Sequence, residues 1–176
     1  MIAQEILGYL LLAHRGSMRA LVQAILLLGV LVYFLLCARR LWKIDVSQHR
    51  LPDKIVLPMY AGIGLPLFLV LLLAHDGLRI RQTAYGAVFL AGVYWLLRLV
   101  SGRALGLGDV KLAGVIGMLC GFFSAPHILW ATLLAFVLGG LFAVSLMVTG
   151  RASAKTQLAF GPFMLMGASL AIFFPA

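Results

Sequence analysis

The chain has 176 residues, 64% of them hydrophobic and 11% charged, with a mean hydropathy of +1.10 and a formal net charge of +9. A soluble domain of this size has too little interior to bury that much apolar surface, so the composition excludes a water-soluble enzyme or carrier and predicts a polytopic membrane protein. A chain in lipid must satisfy its own backbone, which leaves helices or a closed barrel. Barrel strands alternate apolar and polar residues. These runs are apolar all round, so the predicted fold class is all-α.

In chain order, residues 2–13 are apolar but too short to cross comfortably and predict a short interfacial helix. Residues 21–36, preceded by Arg15 and Arg19, resemble a signal-peptide core. No small-x-small cleavage site follows them, so an uncleaved span is expected. Six transmembrane helices are predicted at about 20–38, 55–75, 83–100, 110–124, 126–149 and 158–175. The fourth is short and meets the fifth across Ser124-Ala125-Pro126. Soluble linkers, low-complexity stretches and repeats are absent from the sequence, and one membrane-embedded domain, 1–176, is expected. Cys37 and Cys120 lie in apolar runs, form no CxxC pair, and read as small packing residues.

The positive charge could suggest a nucleic-acid partner. Basic residues flanking spans explain it better, and the lipid bilayer is the expected neighbour. Arg39, Arg40, Lys43, Arg50 and Lys54 follow the first span. Arg98, Arg103 and Lys111 mark the third–fourth junction, and Arg151 and Lys155 the fifth–sixth. The opposite side holds Arg15, Arg19, Arg79 and Arg81. The richer side is assigned to the cytoplasm, which sends both termini outward. The cluster around Arg39–Lys54 reads as anchorage facing lipid headgroups.

Acidic residues are scarce: Glu5, Asp45, Asp53, Asp76 and Asp109. The charge count, made without them, places Asp45 and Asp109 on the same cytoplasmic side. If the first helix continues, Asp45 lies about 10 Å beyond Ala38, the end of the apolar run. Asp109, in Gly106-Leu107-Gly108-Asp109-Val110-Lys111, precedes the fourth run. Two carboxylates brought together can share one proton and activate water, which predicts a membrane aspartyl protease. Asp109 near a helix N-terminus is expected to be the more acidic partner, and Asp45 near a helix C-terminus the more frequent holder of the proton. Gly106 and Gly108 allow close backbone approach and leave room for an extended substrate strand.

Supporting roles stay open on the residues alone. Asp53 is either a third carboxylate of the site or a cap for the second helix. Lys111 either orients Asp109 and meets substrate carbonyls or anchors the chain at the interface. Gly161 and Pro162 break a helix inside an apolar run and either line the cleft or form a packing kink. His49 reads as an interface loop residue. His14, His75 and His127 have no metal spacing, and neither a P-loop nor a serine-hydrolase pattern occurs; no metal and no cofactor are expected. Trp42, Trp95 and Trp130 serve as interface anchors or core residues.

Asp45 followed by Leu51-Pro52-Asp53, then Gly106-Leu107-Gly108-Asp109-Val110-Lys111-Leu112 and the late Phe160-Gly161-Pro162-Phe163, resembles the prepilin peptidases (type IV leader peptidases), GxGD-type intramembrane aspartyl proteases of the bacterial inner membrane. The resemblance implies Asp45 and Asp109 as catalytic residues. It implies removal, after a glycine and at the cytoplasmic face, of the short basic leader of type IV prepilins or of the pseudopilins of type II secretion. Longer family members carry a cysteine-containing N-terminal region with paired CxxC motifs and also methylate the new N-terminus. This chain resembles a short form without those cysteines, so methylation is not expected. The alternative function is a proton- or cation-coupled transporter using the same aspartates; a third is an assembly factor built on small-residue faces such as Gly139-Gly140 or Gly117-x-x-x-Gly121. Neither substrate identity nor oligomeric state follows from the sequence.

Overall fold

The computed structural model describes residues 1–48, 50–102, 105–150 and 159–174. His49, Arg103, Arg151 and Lys155 of the sequence argument lie outside them. Among the described residues the elements are seven helices and no strand: α1 (Ile2–His14), α2 (Met18–Gln48), α3 (Asp53–Leu73), α4 (Gly77–Val100), α5 (Leu107–Gly121), α6 (Ala125–Val148) and α7 (Gly161–Phe173).

The all-helical prediction holds, and two of the six predicted spans are shorter helices than expected. Four helices, α2, α3, α4 and α6, are long and apolar enough to cross a membrane. The fourth predicted segment is the 15-residue α5 and the sixth the 13-residue α7. The reason is burial. From Val110 to Gly121 only Lys111 is left partly exposed, and α5 packs on α3, α4, α6 and α7. Such a helix is apolar on every side because protein surrounds it, and its apolarity does not report a lipid contact. α1 packs mainly on α2, buries Ile2, and ties to α4 through Glu5 and the Arg79 guanidinium at 3.0 Å.

Periodicity explains which residues face inward. The buried stripe of α2 runs Ala20, Ala24, Leu27, Val30, Phe34, Cys37, Leu41, Asp45, the three-and-four spacing of one helix face. Asp45 is the last member of that stripe, so the packing that buries Phe34 and Leu41 also turns its carboxylate into the protein. On α4 the stripe is Thr83, Gly86, Leu90, Tyr94. It faces α5, where Gly117 and Gly121 meet the backbones of Gly86 and Gln82 so closely that a Cβ on either glycine has no space. The small-residue face Gly117-x-x-x-Gly121 is thus consumed inside the chain. Cys37 and Cys120 are buried free thiols, in keeping with packing roles.

Candidate active site

Asp45 is 4% exposed and belongs to α2, which continues to Gln48. Asp109 is half-buried in the first turn of α5, ahead of the apolar stretch from Val110. Both line one cleft of about 620 Å³ at this end of the bundle, with Gly106, Gly108, Asp53 and Lys111 in the same wall. The lining also includes Gln48, which the sequence argument did not name, and Arg50, Leu51 and Lys54, which it did not assign to the site.

Asp109 accepts the Gly106 amide N–H at 3.1 Å, the returning half of a capping box. Burial, and after it the charge of Asp45, lifts the Asp109 carboxyl from an ordinary 3.8 to about 6; the Gly106 N–H and the Arg98 guanidinium pull the other way. Arg98 went unnoticed in the sequence as a functional residue. It stands four residues after Tyr94, so it extends the α5-facing stripe of α4, and that spacing was the signal available. Its guanidinium also donates to the Leu105 carbonyl just before the Gly106 turn.

Gly161 and Pro162 do not break a helix. They begin one, as the first two residues of α7, with proline in the first turn where its missing N–H costs nothing. The Gly161 N–H donates to Asp45 Oδ2 at 3.0 Å in a buried bond spanning 116 residues of sequence. The N-terminus of α7 therefore points the Gly161 N–H and its positive dipole end at Asp45. The dipole argument for Asp45 counted the end of α2 and missed the start of α7, whose N–H favours the charged carboxylate.

The glycines of the GxGD segment divide. At Gly106 a Cβ would come closest to the Asp109 carboxylate, at 3.1 Å. At Gly108 it would lie 2.6 Å from Leu51 Cβ and 3.1 Å from the Leu51 carbonyl oxygen. The space expected there for a substrate strand is taken by the chain's own α2–α3 connection, and the close approach is between Gly108 and Leu51.

Asp53 and Lys111 take a third course. Pro52 is the N-cap of α3 and no side chain caps it; Asp53 stands in the first turn, where its charge suits the dipole. Both Asp53 oxygens accept from Lys111 Nζ at 2.7 Å, joining α3 to α5 across the cleft. The Tyr60 hydroxyl adds a second tie by donating to the Lys111 carbonyl at 2.7 Å, in space that Gly114 leaves open. Among the described residues, His, Cys, Asp and Glu form no group able to hold a metal ion.

A model of the type IV leader peptidase family matches residues 28–144, a stretch that contains both aspartates. Among curated proteins, the chain is 35% identical over 131 residues to the prepilin leader peptidase/N-methyltransferase of Pseudomonas putida, covering 73% of this chain and 44% of that one. It is 33% identical over 156 residues to the protein of the same name from Burkholderia pseudomallei strain K96243, covering 83% and 47%. With the Dickeya chrysanthemi protein, again of that name, it shares 32% over 160 residues, covering 87% and 50%. The chain spans about half the length of these relatives. No solved structure matches it.

Proposed function

We propose that this chain, which belongs to the type IV leader peptidase family, is a membrane aspartyl endopeptidase that removes the basic leader of type IV prepilins or pseudopilins. Asp45 and Asp109 are its catalytic pair. The observation that carries this reading is the shared cleft in which the Asp45 charge helps lift Asp109 to about 6. Two interacting carboxylates with one proton between them supply a base and an acid at the same place.

In the proposed reaction the ionised carboxylate takes a proton from water as the water oxygen bonds to the scissile carbonyl carbon after glycine. The protonated partner gives its proton to the carbonyl oxygen. The resulting gem-diol collapses as a proton passes to the leaving nitrogen and the C–N bond breaks. One water is consumed and the pair ends, as it began, with one proton. The Gly161 N–H holds Asp45, and the Gly106 N–H holds Asp109, so each carboxylate has a backbone donor to fix it.

The same reading places the chain in the bacterial inner membrane with the cleft at the cytoplasmic face, as the distribution of lysine and arginine supports. It counts six crossings, with α5 and α7 traversing inside the helical body, where protein rather than lipid sets the required length. The transporter alternative gains nothing from the placement of the acids, which lie at helix ends and not mid-span.

Co-expression with a panel of prepilins and pseudopilins, read by mass, tests the proposal. Loss of the leader after its glycine, absent with Asp109→Asn, supports it and identifies the accepted substrates. Uncleaved substrates throughout, with the protein folded in the membrane, contradict it.

A further inference from the structure

A second cavity, of about 480 Å³, lies on the outside of the bundle between α2 and α7. Leu35 and Leu170 line its apolar end; Arg39, Trp42 and Lys43 line the end nearer Asp45. The two helices run antiparallel, because Gly161 at the start of α7 meets Asp45 near the end of α2. The groove thus descends from the level of the active site along the membrane-facing side. Arg39 sits about 9 Å before Asp45 along α2.

We propose that this groove binds one anionic phospholipid, with its phosphate between Arg39 and Lys43 and an acyl chain lying toward Leu35 and Leu170. The proposal stands apart from the catalytic reading and needs no peptidase activity. Charge complementarity selects the occupant. Arg39 and Lys43 are exposed, i and i+4 on one helix face, and among the described residues neither makes an ion pair. The groove lining contains no carboxylate. Ser169, which also lines it, gives its hydroxyl proton to the Leu165 carbonyl at 2.7 Å, so the wall below the cations presents little that is polar and unsatisfied. Trp42 is 40% exposed beside them, an amphipathic ring at the height where the headgroup meets the acyl region. A neutral apolar helix would fill the lower groove but would leave two cations without a counter-charge. A basic leader would be repelled by them.

Trp42 reports the site. In a Trp95→Phe, Trp130→Phe background, the chain is placed in phosphatidylcholine vesicles holding a small fraction of brominated phosphatidylglycerol or, separately, brominated phosphatidylcholine. A basic residue near an anionic headgroup is worth about fivefold in binding, so the two together predict a preference for phosphatidylglycerol of roughly 25-fold in quenching of Trp42. Arg39→Gln with Lys43→Gln, both exposed and so without consequence for folding, should bring that ratio close to one. Ser169→Phe, which fills the groove and keeps both cations, should reduce quenching by either lipid. Equal quenching by the two lipids in the unsubstituted groove overturns the proposal. So does a phosphatidylglycerol preference that survives the double substitution. Displacement of phosphatidylglycerol by an uncharged apolar helical peptide as readily as by excess unlabelled phosphatidylglycerol would also overturn it, and would assign the groove to a protein segment.

Discussion

Gly161→Ala tests whether α7 holds the catalytic carboxylate in place. A Cβ at 161 would stand 2.6 Å from Asp45 Oδ2, 3.3 Å from its Cγ and 3.2 Å from Leu51 Cδ2. Ordinary van der Waals contact begins at 3.4 Å, so the carboxylate must retreat by about 0.8 Å. The Gly161 N–H bond to Asp45 is already 3.0 Å long and would stretch beyond useful range. Asp45 is buried on the inward stripe of α2, so the space to absorb that movement is small. A misplacement of about 1 Å in a reacting group costs roughly 100-fold. The expected fall in kcat/KM for leader removal is therefore roughly 30- to 100-fold, with KM changed far less. The assay is cleavage of a purified prepilin in vesicles, quantified by mass spectrometry per mole of folded protein. Gly140→Ala is the control: a Cβ there meets nothing within 4 Å, and activity should stay within about twofold of the parent. Near-normal kcat/KM for Gly161→Ala would refute the reasoning, because the α7 N-terminus would then not be what positions Asp45.

The Asp109 carboxyl is held at about 6 against an ordinary 3.8, so between those pH values the folded chain binds more protons than the unfolded one and stability falls as pH rises. At 1.36 kcal/mol per unit, the cost at neutral pH is about 3 kcal/mol. Asp109→Asn keeps an acceptor for the Gly106 N–H and should raise the unfolding temperature at pH 7.5 but not at pH 4, as followed by scanning fluorimetry. Gly117→Ala forces the α4–α5 crossing apart and should destabilise by about 1–3 kcal/mol or more, measured as a lowered unfolding temperature. The Lys111–Asp53 pair is 36% and 56% exposed at its side chains, so Asp53→Asn should cost no more than about 1 kcal/mol and retain substantial cleavage. Total loss of cleavage in Asp53→Asn would make Asp53 part of the chemistry.

What the sequence disclosed followed from local physics. Counting lysines and arginines placed Asp45 and Asp109 at one end because span-flanking charge is a local signal, and both residues do line one cleft. The three-and-four spacing from Ala20 to Leu41 already carried Asp45 onto the buried face. Hydropathy separated helix from loop well but could not distinguish a helix surrounded by lipid from α5, surrounded by protein, so it did not foresee how short α5 is. Contacts between distant segments had no local signature. Gly161 reaches Asp45 across 116 residues, and Lys111 reaches Asp53 across 58. Gly161-Pro162 was legible as a discontinuity. That it begins a helix aimed at a carboxylate depended on where α2 ends in space. The Gly108 approach was legible as a need for room, though not that Leu51 would fill it.

The central claim is that two aspartates, and only those two, carry peptide hydrolysis. The most direct measurement is turnover of one purified prepilin by the parent chain, Asp45→Asn, Asp109→Asn and Asp53→Asn, each normalised to folded protein in the same vesicles. The account predicts cleavage at background for Asp45→Asn and for Asp109→Asn, because an amide can neither hold nor accept the shared proton, with Asp53→Asn remaining active. Substantial cleavage by either Asp45→Asn or Asp109→Asn would contradict it.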